Sequence, residues 1–129
     1  MAGIRKGWAG FAAPDLDAAE VFYRDVLGIT VSRDHDMGML TLHLDGEVSI
    51  YVKPDHEPAV FTVLTLAVAD LDAAVDEIVG RGGSFARYDG FEQDERGIAR
   101  GPVGPVIAWT ADPAGNIVGI IEDSEADAG

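Results

Sequence analysis

Asp15-Leu16-Asp17-Ala18-Ala19 recurs as Asp70-Leu71-Asp72-Ala73-Ala74, an offset of 55 positions. At the same offset Ala12 faces Ala67, and Gly28 faces Gly83. An Ala- and Asp-rich pentapeptide can recur by chance, but a glycine kept in register further along makes chance a poor explanation. An internal repeat of this length is a statement about the whole fold, because each copy must form the same unit.

Each copy reads alike from its own residues. Ahead of the motif lies a short apolar stretch, Trp8 to Ala13 in the first copy and Thr62 to Val68 in the second, which predicts a strand. Asp15 and Asp70 are suitable N-caps, and Asp17 and Asp72 fall in the first turn, where the helix dipole favours negative charge. Leu16, Ala19, Tyr23 and Val26 share one helical stripe; Leu71, Ala74, Val75 and Ile78 share another. Gly28 and Gly83 are expected to end the helices in the left-handed conformation that a C-cap takes.

The period then changes to two. Leu40 to Leu44 alternates, Asp45-Gly46 signals a hairpin, and Val48 to Val52 alternates again. Pro54 and Pro58 mark the crossover between copies. In the second copy Ser84 to Tyr88 and Val106 to Ala111 read as strands, and Asp112-Pro113-Ala114-Gly115-Asn116 turns into a last strand, Ile117 to Ile121. The expected fold is therefore α+β: two tandem βαβββ modules, 4–58 and 60–123, forming a curved mixed sheet around a cavity within a single domain. Residues 124–129 are expected to be a frayed acidic tail.

Composition narrows the function classes. The 129 residues suffice for one core, and 47% are hydrophobic, which argues against disorder. Without cysteine there is no disulfide, thiolate catalysis or zinc–cysteine site. No apolar run reaches the roughly 20 residues that span a bilayer, and the first residues lack the apolar stretch of a secretion signal, so a cytoplasmic location is expected. The formal net charge of −14 argues against a nucleic-acid partner. It suits cationic small molecules, or simply solubility.

The Asp-Leu-Asp-Ala-Ala helix start, followed by Phe22-Tyr23 and Val26-Leu27-Gly28, resembles the first module of the vicinal-oxygen-chelate superfamily, which holds glyoxalases, bleomycin resistance proteins and extradiol dioxygenases. Asp112 to Asn116 with its following strand resembles that family's closing strand pair. Gln93-Asp94-Glu95-Arg96-Gly97 and Gly104 to Trp109 resemble the loop and strand between. The resemblance runs from about Trp8 to Glu122. It implies His or Glu metal ligands on matching strands of the two modules, polarising a substrate with two adjacent oxygens. It also implies a homodimer.

Tested residue by residue, that ligand pattern fails. The first-strand position is Trp8, its counterpart is Val63 (next to Leu64), the closing-strand position is Gly119, and the remaining strand offers Ser49 and Tyr51. Trp, Val and Gly have no side chain that ligates a divalent cation. Of the three histidines, His43 alternates with Thr41 and Met39, whereas His35 and His56 lie in turn-like segments. The reading is a member of a metal-free subgroup, with no metal and no cofactor.

What remains is a pocket. Trp8, Gly10 and Ala12 share a strand face, as do Val63, Thr65 and Ala67; Ser49 and Tyr51 share another, and Trp109 lies on the strand before the closing turn. Trp8, Ser49, Tyr51, Val63, Trp109 and Arg96 are the candidate ligand-binding residues, with aromatic faces for stacking. Each aromatic reads equally as core. The loop Asp89 to Gly104 reads as a lid or as a solvated hairpin loop, in which Asp94, Glu95 and Arg96 could pair with one another. The leading functional reading is a protein that sequesters an aromatic or cationic compound, as in antibiotic resistance. The alternative is a lyase, isomerase or dioxygenase, with His43 and a carboxylate as non-standard ligands, or with Asp94 or Glu95 as general base. A non-catalytic assembly domain is the third class, with no residue in its favour.

Overall fold

The computed structural model describes residues 2–102 and 104–123; the acidic stretch 124–129 lies outside them. The chain parts into two compact units between Glu57 and Pro58. Among the described residues no helix is long and apolar enough to cross a membrane.

The first unit comprises strand β1 (Ala9–Ala13), helix α1 (Leu16–Val21) continuing as a wider π-helical turn (Phe22–Val26), and strands β2 (Thr30–Asp34), β3 (Met39–His43) and β4 (Val48–Val52). The sheet order is β1-β4-β3-β2, with β1 parallel to β4 and the other pairs antiparallel. Helix α1 contacts β3 and β4. Leu40, Leu42 and Ile50 are fully buried, as is Tyr23, whose ring meets Phe22 edge-on at 5.0 Å and Phe11 at 6.1 Å. Alternation then puts Gly10, Ala12, Thr41, His43, Ser49 and Tyr51 on the opposite face.

The second unit repeats the plan with strand β5 (Thr62–Val68), helix α2 (Leu71–Gly80), and strands β6 (Ile107–Ala111) and β7 (Ile117–Glu122). The order is β5-β7-β6, again with the first strand parallel to the last. Helix α2 packs on β6 and β7, burying Leu71, Val75 and Ile78 with Val118 and Ile120. Both helices start as expected: Asp15 accepts the Ala18 N–H at 3.2 Å and Asp70 accepts the Ala73 N–H at 3.1 Å. The closing turn is built on buried Asp112, whose carboxylate accepts the Ala114 and Asn116 N–H groups, each at 2.9 Å.

The helix ends depart from the repeat. Gly28 is left-handed (φ 74°), but in the second module Gly82 (φ 98°), not Gly83, takes that conformation. Gly82 N–H donates to Val79 and Gly83 N–H to Ile78, the paired bonds of a Schellman cap. The physical reason lies in the first helix. Its π turn, where Leu27 N–H reaches back to Phe22 at 3.0 Å, absorbs one residue more than regular α-helix does. Phe22 and Tyr23, at the start of that turn, are both buried.

The expected strand Ser84 to Tyr88 is likewise corrected: only Phe85 bridges to Thr110. The side chain of Gln93 takes the place of a partner strand. It accepts the Tyr88 N–H at 2.8 Å and donates to the Ala86 and Gly97 carbonyls at 2.9 and 2.7 Å. With these groups satisfied, the segment has no need of a ladder. Strand β1 begins one residue later than expected, leaving Trp8 outside it.

Candidate functional site

A concave, aromatic region of the second module grows from one glycine. Gly119 lies opposite Trp109 in the β6–β7 ladder. A Cβ at Gly119 would meet Thr62 at 3.4 Å, Ile107 at 3.5 Å and the Trp109 ring at 3.6 Å. Ordinary contact thus already surrounds that point, and a long side chain there would displace the indole. Trp109 itself is 8% exposed. The Tyr88 ring stands edge-on to it at 5.5 Å, and the Phe91 ring leans over it at 4.9 Å and 55°. Such tilted and edge-on pairs are favourable aromatic geometries.

Two recesses open beside this wall. One, of about 330 Å³, is bounded by Phe61, Thr62, Tyr88, Phe91, Trp109 and Ile117. The other, of about 600 Å³, shares Phe91 and Trp109 and adds Glu92, Ala99, Pro105 and Ile107. Phe61 and Phe91 remain 66% and 56% exposed, so their apolar faces stay open to a ligand. Sequence reasoning singled out Trp109 but missed Phe61, Tyr88 and Phe91. Their only signal was aromatic character beside turn residues, which does not separate a wall from a surface.

The loop that carries Phe91 is tied down by its own charges. Asp94 accepts the Arg96 N–H at 2.9 Å and the Ile98 N–H at 3.0 Å, and pairs with Arg100 at 3.3 Å. Arg96 bonds Asp76 of α2 at 2.8 Å, and Arg100 bonds Asp72 at 2.6 Å. Asp94, Glu95 and Arg96 therefore do not simply pair with one another; two arginines lash the loop to the helix. Partial burial pushes the Asp94 carboxyl up, but the Ile98 and Arg96 N–H groups and the Arg100 guanidinium outweigh it. The carboxyl is held below the usual range. A general base wants the opposite shift. Glu95 is exposed, and Arg96 points to the helix side of the loop, lining a groove with Asp76 and Phe85 rather than the Trp109 recesses.

The other sequence candidates fall as follows. Val63 lies in a β-bulge, where β5 shifts register against β7 between Thr62 and Leu64. Trp8 is 62% exposed, with Lys6 Nζ 6.0 Å from its ring centre. Ser49 is buried between Gly10 and Thr41 in the ladder, and Tyr51, two residues on, is 48% exposed. His43 Nε2 and the Ser32 hydroxyl are 2.7 Å apart across β2 and β3. His35 sits in the turn after β2, and His56 follows the Pro54-Asp55 turn, its N–H bonded to the Lys53 carbonyl.

The donor set at the four expected ligand positions is thus an indole, an isopropyl group, a bare α-carbon and a hydroxyl or phenol. That set does not fit a divalent cation. Among the described residues no three His, Asp or Glu side chains converge as a metal-holding group.

Paired modules of strand, helix and strands, each with its first strand parallel to its last, place the chain among vicinal-oxygen-chelate folds. The family model for the Glyoxalase/Bleomycin resistance protein/Dioxygenase superfamily matches residues 6–120, and the chain belongs to that superfamily. Solved structures of the same fold include a putative glyoxalase family protein from Bacillus anthracis (18% identity, 95% of this chain and 99% of that one, TM-score 0.70). Another is TnmS3, an antibiotic binding protein from Streptomyces sp. CB03234 (22%, 96% and 99%, TM-score 0.69). A third is a bleomycin resistance determinant encoded on the transposon Tn5 (20%, 93% and 98%, TM-score 0.66). No curated protein matches the chain in sequence.

Proposed function

We propose that this chain is a small-molecule-binding protein that holds a flat aromatic compound against the Trp109 wall, without a metal, and so sequesters it. The observation that carries the reading is the indole of Trp109 packed across Gly119, where a metal-dependent relative needs a donor atom. Phe61, Tyr88 and Phe91 extend that wall into two open recesses. Stacking on such surfaces is sequence-economical binding, since rigid aromatic side chains lose little entropy when a ligand docks. The antibiotic-binding and bleomycin-resistance relatives add support for sequestration as the role. The net charge of −14 favours cationic compounds. A homodimer, checked by light scattering, belongs to the same proposal.

The enzymatic alternative has less behind it, because Asp94 is committed to the loop and held ionised. Single replacement of Asp94, Glu95 or His43 is expected to leave ligand binding in place.

The test uses Trp8→Phe protein, in which Trp109 is the sole indole. Acridine orange and a neutral pyrene alcohol are titrated in, following tryptophan fluorescence. Saturable one-to-one quenching supports the reading, together with a rise in dye fluorescence anisotropy, which needs no indole, that Trp109→Leu abolishes. Absence of quenching by either dye refutes it, as does stoichiometric Ni, Zn, Fe or Mn in purified protein together with lyase or dioxygenase turnover.

A further inference from the structure

We propose that the larger recess is a subsite for an alkylated ammonium group, with the Glu92 carboxylate as counter-ion and the faces of Phe91 and Trp109 as walls. The inference rests on the reading of Trp109 as a ligand-holding wall and names the chemistry that wall receives.

Charge is unevenly matched around α2 and its loop. Asp72, Asp76 and Asp94 are each matched by Arg96 or Arg100. Glu92 lies in the same loop and lines the recess of about 600 Å³, yet it takes part in no hydrogen bond or ion pair among the described residues. Among the described residues it is also the only ionisable side chain in that lining. An uncompensated carboxylate at an apolar concavity attracts a cation.

The lining of the recess selects the kind of cation. Phe91 and Trp109 pack against each other at 4.9 Å with a 55° tilt, and both line the recess. Ala99, Pro105 and Ile107 complete the apolar lining. Among the described lining residues, Glu92 and Trp109 alone carry polar side-chain atoms. A primary ammonium has three N–H donors and a guanidinium five; one carboxylate would leave several without partners on desolvation. A quaternary ammonium has none, and a tertiary one has a single N–H that Glu92 can accept. Weakly hydrated, diffuse cations of this kind are the ones that aromatic faces hold best.

The test compares (4-hydroxyphenyl)trimethylammonium with 4-tert-butylphenol, which have the same shape and differ in N⁺ for C, by calorimetry on the intact protein. The cation is expected to bind roughly tenfold or more tightly than its neutral twin, and Glu92→Gln to reduce that ratio to within roughly twofold. Glu92 is exposed, so the variant should fold, and the wild-type ratio needs no variant. Equal affinity for the two phenols, or a ratio unchanged by Glu92→Gln, overturns the subsite. If that happens while the planar dyes still quench Trp109, the cation subsite falls alone. If the dyes also fail to quench, the binding wall beneath it falls as well.

Discussion

The two modules place different chemistry on one backbone plan. Across the first sheet the ladder positions read Gly10, Ser49 and Thr41; across the second the matching positions read Thr65, Gly119 and Trp109. Each row holds one glycine, but on a different strand. In the first module Gly10 lets β1 approach β4 closely, since a Cβ there would lie 3.2 Å from the Ser49 carbonyl oxygen. In the second, Gly119 makes room for an indole. One copy keeps a small polar row; the other has become an aromatic wall. A duplicated scaffold can therefore be specialised one copy at a time, because the core under each row faces the helix and is untouched by the change.

The largest effect that would break this contrast is Trp109→Ala, expected to cost about 3–5 kcal/mol in denaturant unfolding and to abolish dye binding. Thr41→Ala in the matching row should cost less than about 1 kcal/mol; similar costs would show that the rows do not differ as described. Next comes Gly119→Leu, which forces the indole aside and should cost about 1–3 kcal/mol, whereas Gly119→Ala is mild because its Cβ contacts are ordinary. Gln93→Ala removes three bonds that stand in for a strand and should cost about 1–3 kcal/mol.

A finer test addresses the helix ends. Gly82→Ala is expected to cost about 1 kcal/mol, because only Gly82 sits at positive φ, and Gly83→Ala distinctly less. If thermal melts rank them the other way, the extra residue of the π turn is misassigned.

The smallest effect is the pH dependence of the loop. The Asp94 carboxyl is held low in the folded protein, so its contribution is fully present above the unfolded value of about 3.9 and is lost as pH falls through the lower folded one. Hydrogen exchange at Arg96 and Ile98 should stay protected down to roughly pH 4 and weaken below it. Asp94→Asn should remove that step. These are surface charges, and salt should weaken the arginine ties to α2 as well.

Much of the fold was legible. The repeated Asp N-caps, the apolar stripes and the change to period two identified both helices, and six of the seven strands to within a residue, because these are local patterns whose cause lies within a few neighbours. The strand β2 was expected only as part of the three-strand plan, without bounds of its own. Gly83 and Ser84 to Tyr88 were misread for one reason: their conformations depend on partners outside the pattern. A π turn in the other copy breaks the register, and a glutamine from the next loop replaces a strand.

The same division runs through the site. Trp8, Val63 and Gly119 stand where the family resemblance implies metal ligands, and counting from the repeated helix start and the closing turn was enough to find them in the sequence. Trp109 was named beside them, but as one aromatic among several. That Tyr88 and Phe91 converge on it, that Arg96 and Arg100 turn toward α2, and that Glu92 is left uncompensated were decided only when distant segments met in space. Side-chain identity along the chain sets which groups exist. Which of them share a wall, cancel a charge or remain free depends on contacts between residues far apart in sequence.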